Sequence, residues 1–271
     1  MLKKRFFCIL LFSFIQISAQ DISLVSWNIR DFGKTKSTAT IEKIATMVKQ
    51  YDIVAIQEVV AIDPGGAKAV ARLAEELKRK GAKWDYVISN QTNSPPYKTE
   101  RYAFLWKTSK VKTKRRGRLL KELSHSVYRE PFEVVFMQKG KAFKVLNYHS
   151  RKHNDKPEEE IAVLNNYVIK QKIPTILVGD FNLAETDKVF NVLYENNFRT
   201  ALNTQKTTLK RKCKAGRYLY HSIDNIYLSK KEFLVRKTGI IDFVKHCNNL
   251  AKARLISDHV PVTIIFSIKK N

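Results

Sequence analysis

Short apolar runs recur along this chain, and most of them stop at a polar residue. Ile22 to Ile29 (Ile-Ser-Leu-Val-Ser-Trp-Asn-Ile) alternates like a strand and is closed by Asp31-Phe32-Gly33. Asp52 to Gln57 is a second run and ends at Glu58. Trp84–Ser89, Tyr102–Trp106, Phe132–Met137, Ala142–Tyr148, Thr175–Val178, Ile223–Leu228 and Val260–Phe266 have the same character. Short β-rich runs bounded by turn residues predict strands, and the most continuous of them predict burial on both faces. Between them the apolar spacing changes to three and four residues. Ile41, Ile44, Ala45 and Val48, behind Ser37, Thr38 and Thr40 as cap candidates, predict a helix. So do Val70, Leu73, Ala74 and Leu77 within 67–80, and Ile161, Leu164, Tyr167 and Val168 within 157–172. Pro64-Gly65-Gly66 breaks the chain before the first of these. Val189, Leu193 and Tyr194 mark one more helix. Two strongly basic stretches, Lys107–Lys121 and Lys206–Arg217, interrupt the pattern, the second read as a loop. Strands alternating with helices argue for a layered α/β domain. Neither an internal repeat nor a Gly-rich phosphate loop is visible.

The first residues follow another rule. Lys3-Lys4-Arg5, an apolar run from Phe6 to Ile17 and a Ser18-Ala19-Gln20 exit read as a secretory signal peptide over 1–19. The run is short for a membrane span, which needs ~20 apolar residues. An exported protein is therefore expected, secreted or periplasmic, with residues 20–271 forming one domain and no membrane segment. Fifty basic residues against 25 acidic give a formal charge of +25, which attracts polyanions over a distance. Nucleic acid is the first candidate partner, ahead of anionic membrane or acidic glycan; part of the surplus can equally serve solubility. Past the signal two cysteines remain, Cys213 and Cys247, and export favours their pairing as a disulfide.

The polar residues at the strand ends change the picture further. Asn28, Glu58, His149, then Asp180 and Asn182, then Asp258-His259 each stand at the end or start of a core run. Gly179 is read as letting the backbone turn, and Asp180 and Asn182, two residues apart, share one side of it. Any one of these has a dull explanation in turn chemistry. Together they suit metal-assisted hydrolysis without a covalent intermediate: Glu58 holds a divalent cation, with Asp180 or Asn28 nearby, and hard oxygen ligands favour Mg²⁺, Mn²⁺ or Ca²⁺. One histidine takes a proton from water and the other protonates the leaving oxygen. Each needs a carboxylate behind it, a task assigned to Glu100 and Asp224. His153 reads as a solvated loop residue, and His125, His221 and His246 carry less.

These stretches, in order, resemble the endonuclease/exonuclease/phosphatase superfamily, and within it the pancreatic-type (type I) deoxyribonucleases. The similar segments are 27–33, 52–59, 97–106 around Glu100-Arg101-Tyr102, Arg129-Glu130-Pro131, Tyr148-His149-Ser150, Gly179-Asp180-Phe181-Asn182, Ser222–Ile226 and Ile256–Val262. The resemblance implies a four-layer α/β sandwich, two packed mixed β-sheets flanked by helices. It also implies roles: Asn28 and Glu58 at the metal and scissile phosphate, Glu100 orienting His149, and Asp224 orienting His259. Asp180, Asn182 and Asp258 would complete the metal and phosphate site. Arg129, with Arg101 and Arg30 from the matched segments, would contact the DNA backbone, and Thr207 or Thr208 resembles a phosphate-contacting threonine. The cofactor implied is Mg²⁺ or Mn²⁺, with a structural Ca²⁺ left open, and no obligate protein partner is expected. Departures are the Thr99 insertion, which disturbs the register of Tyr97, and the Lys107–Lys121 run in place of a short disulfide loop. A phosphodiesterase or phosphatase acting on phospholipid head groups, RNA or inositol phosphates is the alternative, and a non-catalytic DNA-binding protein a third.

Overall fold

The computed structural model describes residues 21–33, 36–61, 64–95 and 98–269. The expected signal peptide over 1–19 and Tyr97 lie outside them.

The alternation within each run decides the architecture. In the strand Ile22–Phe32, Ile22 and Leu24 face one way and Val25, Trp27 and Ile29 the other. Ile53 and Ala55 part from Val54 and Ile56 in the same manner, and Tyr102, Phe104 and Trp106 from Ala103 and Leu105. In a second set, Val145, Ile176, Val178 and Ile226 face one way while Leu146, Leu177 and Tyr227 face the other. Two sheets with both faces apolar need three apolar layers to cover them.

The first sheet has six strands in the order Phe233–Ile240, Val262–Ile268, Ile22–Phe32, Ile53–Val60, Glu100–Lys107, Trp84–Ile88. The second has Phe198–Thr200, Asp224–Ser229, Thr175–Asp180, Lys141–His149, Phe132–Gln138 and Lys112–Thr113, with Arg118–Leu119 also paired to Phe132–Gln138. Parallel pairs (Ile22–Phe32 with Ile53–Val60, Lys141–His149 with Thr175–Asp180) stand among antiparallel ones, so both sheets are mixed. They pack face to face over one core, including Phe104, Phe136, Phe143 and Phe266. Helices Thr38–Val48 and Gly65–Arg79 cover the first sheet, and Pro157–Ile169 the second. The result is the expected four-layer sandwich.

Some local expectations are revised. The Lys107–Lys121 run contributes Lys112–Thr113 and Arg118–Leu119 to the edge of the second sheet. The basic stretch after Lys206 is a two-stranded ribbon, Leu209–Lys214 with Arg217–Leu219, rather than a loop. The helix near Val189 is a single 3₁₀ turn, Lys188–Phe190, leading into the short helix Asn191–Glu195. Strand Phe233–Ile240 escapes the sequence pattern because a bulge between Val235 and Lys237 breaks its alternation. Gly179 does not turn the chain. It lies inside the strand beside Tyr148 at φ 148°, and a Cβ there would sit 1.7 Å from the Tyr148 carbonyl oxygen. The glycine lets two strands approach, and the strands carry His149 and Asp180 in register.

Cys213 and Cys247 form a disulfide, joining the basic ribbon to the turn Cys247–Asn249. Closing a loop of 34 residues' separation typically stabilises a fold by about 3–4 kcal/mol.

Candidate active site

Following the inner face of each strand leads from oil to charge. Ile22 and Leu24 are followed by Ser26 and Asn28, and Ile53 and Ala55 by Gln57. In the opposite sheet Val145 is followed by Asn147 and His149, Ile176 and Val178 by Asp180, and Leu228 and Ile226 by Asp224. Read toward its start, Glu100–Lys107 runs Trp106, Phe104, Tyr102, Glu100. A neutral layer separates the two regions: Gln57 donates to Ser26 at 3.2 Å and to Asn147 at 2.6 Å, and Asn147 donates to the Ile56 carbonyl. Above it the ionisable residues gather at one mouth of the sandwich.

Glu58 reaches this mouth only through a bulge. Strict alternation after Val54 and Ile56 would turn it toward the helices, but it takes φ 59° and the register shifts between Ile56 and Val59, so Val59 fills the helix-facing place. Glu58 then accepts from Asn28 Nδ2 at 3.0 Å and from the Asp31 amide at 3.2 Å. The same Asn28 amide donates to Asp180 Oδ2 at 3.0 Å, crossing from one sheet to the other.

His149 Nδ1 lies 2.9 and 3.1 Å from the two Glu100 oxygens, and His259 Nδ1 lies 2.9 and 3.0 Å from those of Asp224. Both Nε2 atoms face Asp180 Oδ2, at 3.6 and 3.8 Å. Burial works against a charged imidazole at His149, yet Glu100 outweighs it and the pKa is raised. At His259 burial is likewise overcome, here by Asp224 and Asp180, and the pKa is pushed up to about 10. Burial would raise the Glu100 pKa, but His149 and Arg129 hold it below the usual value. Asp180 is pushed up by burial and by Asp224.

Arg129 is buried against this pair, its Nε 3.2 Å from Glu100 Oε2 and its Nη1 donating to the carbonyls of His149 and Ser150. Asn182, at φ 51°, donates its backbone N–H to Asp180 Oδ1 at 3.0 Å. Glu58, Glu100, Arg129, His149, Asp180, Asn182 and His259 all line one open cleft of about 1550 Å³. Five expected residues stand outside the lining: Asn28 and Asp224, which lie behind it bonded to Glu58 and to His259, and Asp258, Arg30 and Arg101. Asp258 sits 3.6 Å from both Arg30 and Arg254; Arg30 is held by Asp258 and the Arg254 carbonyl; Arg101 donates to the Ser89 carbonyl.

The donor set suits a hard divalent cation. Glu58, Asn28 and Asp180 place oxygens around one amide, and Asn28 Oδ1 is buried with no hydrogen-bond partner among the described residues. Asp180, Asp224 and His259 also bring one donor each within 4.8 Å of one another. That trio is satisfied without a cation, since Asp224 already serves His259 and Thr207.

Several positioning residues gave no sequence signal of this role. Thr207, fully buried, donates its hydroxyl to Asp224 Oδ2 at 2.6 Å, behind the carboxylate instead of in the cleft lining. Ser257 donates to the Asn28 carbonyl and accepts from the His259 amide, and Trp27 Nε1 donates to the His259 carbonyl at 2.8 Å. Tyr102 accepts from the His149 amide. A hydroxyl inside an apolar strand or a basic stretch carries no pattern that separates it from a surface hydroxyl.

Comparison with known proteins bears on the family and the fold. Residues 25–259 match the model of the Endonuclease/Exonuclease/phosphatase family. The chain is 29% identical to a deoxyribonuclease of Thioalkalivibrio sp. (strain K90mix), over 98% of this chain and 77% of that one. It is 28% identical to deoxyribonuclease gamma of Rattus norvegicus, over 94% and 87%. Among solved structures it is similar to an endonuclease/exonuclease/phosphatase from Bacteroides vulgatus (TM-score 0.65, 16% identity, 92% of this chain and 100% of the other). It is also similar to a mannosyl-6-phosphatase of Bacteroides thetaiotaomicron (TM-score 0.64, 16% identity, 92% and 100%). The chain belongs to the endonuclease/exonuclease/phosphatase family.

Proposed function

We propose that this protein is an exported, divalent-metal-dependent endonuclease that hydrolyses DNA phosphodiester bonds with little sequence preference. The observation that carries the reading is the convergence of His149 and His259, each backed by its own carboxylate, on the single oxygen Asp180 Oδ2. Two imidazoles so placed can serve the two ends of a phosphodiester. One Nε2 accepts a proton from the attacking water, and the other gives a proton to the departing sugar oxygen. Glu100 and Asp224 fix the tautomers by taking the Nδ1 hydrogens. Glu58, Asn28 and Asp180 would hold a divalent cation, which would supply positive charge against that building on the phosphate. Arg129 and Asn182 line the same cleft and would meet the phosphate oxygens.

The formal charge of +25 supports a polyanionic substrate, because phosphate contacts supply most sequence-independent affinity. Two relatives named as deoxyribonucleases, of which the chain spans 77% and 87%, favour DNA within that class. The leader-like N-terminus supports export, and the Cys213–Cys247 bridge suits an oxidising compartment.

The test is nicking of supercoiled plasmid with Mg²⁺ or Mn²⁺, abolished by chelator and by His149→Ala or His259→Ala. Undiminished nicking by both alanine variants would end the mechanism. Turnover of RNA, sphingomyelin or an inositol phosphate, with DNA untouched, would move the same chemistry to another substrate.

A further inference from the structure

The ribbon formed by Leu209–Lys214 and Arg217–Leu219 lies outside the cleft and has no part in the chemistry above. Arg211, Lys212, Lys214 and Arg217 are exposed, and Lys210 is half-buried. Among the described residues no carboxylate pairs with any of the five. Elsewhere Lys78, Arg79, Arg118 and Arg151 are matched with acids, so this cluster leaves its charge uncompensated.

The ribbon is also firmly mounted. Leu209 packs with Val244, Leu250 and Val260, and Cys213, Tyr218 and Leu219 close over them. The disulfide to Cys247 pins one strand, and Arg254 donates to the Leu209 carbonyl at 2.6 Å. Its root is bonded to the catalytic mouth through the backbone: Thr208 bridges His259, the Leu209 amide donates to the Asp258 carbonyl at 2.7 Å, and the Val260 amide donates to the Thr207 carbonyl at 2.7 Å. Beside the root stands Tyr220, 54% exposed, with Lys210 Nζ 5.9 Å from its ring. A rigid arm of unpaired cations, continuous with a proton-transferring histidine, fits a second stretch of the polyanion that occupies the cleft.

We propose that this basic ribbon is a second nucleic-acid-binding element, engaging duplex backbone phosphates beyond the scissile one. It rests on the DNA reading of the cleft for its ligand, and it assigns substrate affinity to residues that take no part in bond cleavage.

The experiment compares wild type with two variants that lose the same charge in different places. One carries Arg211→Gln, Lys212→Gln, Lys214→Gln and Arg217→Gln. The other carries Lys43→Gln, Lys49→Gln, Lys68→Gln and Lys83→Gln, exposed positions on the helix-covered side of the first sheet. Binding of a labelled duplex is followed by fluorescence anisotropy with chelator present, across a salt series. The ribbon variant is expected to bind on the order of tenfold more weakly at low salt, its log K against log salt slope falling by about 0.9 for each phosphate no longer neutralised. The helix-side variant should follow wild type. Equal weakening of both variants, an unchanged ribbon variant, or transfer of the effect to anionic vesicles and not duplex would each overturn the assignment. Binding through the ribbon with no DNA cleaved under any divalent cation would sink the proposed activity and leave the ribbon standing. Nicking with an unchanged ribbon variant would do the reverse.

Discussion

Gln57 of one sheet donates its amide to Asn147 of the other at 2.6 Å, and both side chains are fully buried. The bond crosses the sandwich directly beneath the ionised mouth, where apolar packing stops. Asn147 also donates to the Ile56 carbonyl, so removing its side chain strands a donor and an acceptor in a dry layer. Asn147→Ala is expected to lower stability by about 2–4 kcal/mol, read as a fall in the urea midpoint. An unchanged midpoint would mean that the layer tolerates water and does not lock the sheets.

The same reasoning separates support from chemistry at Thr207. Its hydroxyl holds Asp224, which in turn holds His259. Thr207→Val keeps the shape and removes the donor. It should cut kcat on DNA roughly tenfold with little change in KM, whereas Asp224→Asn, which upsets the tautomer of His259, should cost about 10²–10⁴. A Thr207→Val variant whose kcat matches wild type would show that Asp224 needs no second partner.

How much of this was legible in the sequence follows from what each residue interacts with. The sandwich was legible because alternation inside short apolar runs is a local property, present in Leu24 against Val25 and in Ile176 against Leu177. His149, Asp180 and His259 stood out because each stands as a polar group at the end or start of such a run. Their partnering is another matter: Glu100 meets His149 across 49 residues, and spacing alone cannot give that. The bulge at Glu58, the strand-on-strand approach at Gly179 and the hydroxyls of Thr207 and Ser257 were silent, since each answers to a distant backbone. Asp258 was drawn in by its place beside His259, but its side chain goes to Arg30 and Arg254 instead.

The raised pKa of His259 makes a statement about stability in the absence of metal. A pKa of about 10 in the fold, against 6.5 for the free side chain, means that the folded protein binds the proton more tightly than the unfolded chain. The stabilisation is therefore complete below 6.5 and disappears as pH climbs toward about 10. With chelator present, the urea midpoint of wild type should fall over that window by more than that of His259→Gln. Parallel curves for the two proteins would show that the Asp224–His259 pair does not favour the imidazolium.

Divalent cations should bind at the expense of that arrangement, and they offer a way to choose among the acidic residues. A ligand that binds only the folded state stabilises it by RT ln(1 + [L]/Kd), about 2.7 kcal/mol at a hundredfold excess over Kd. Saturating Mg²⁺ or Mn²⁺ should accordingly raise the Tm of wild type, and chelator should reverse the rise. Glu58→Gln and Asp180→Asn remove oxygens that surround Asn28, so both should lose most of the increment even where their metal-free Tm is unchanged or higher. Asp258→Asn disturbs a carboxylate already engaged by two guanidinium groups and should keep it. The opposite ranking, with Asp258→Asn blind to the cation and Glu58→Gln responsive, would move the metal out from between the sheets and toward the His259 loop.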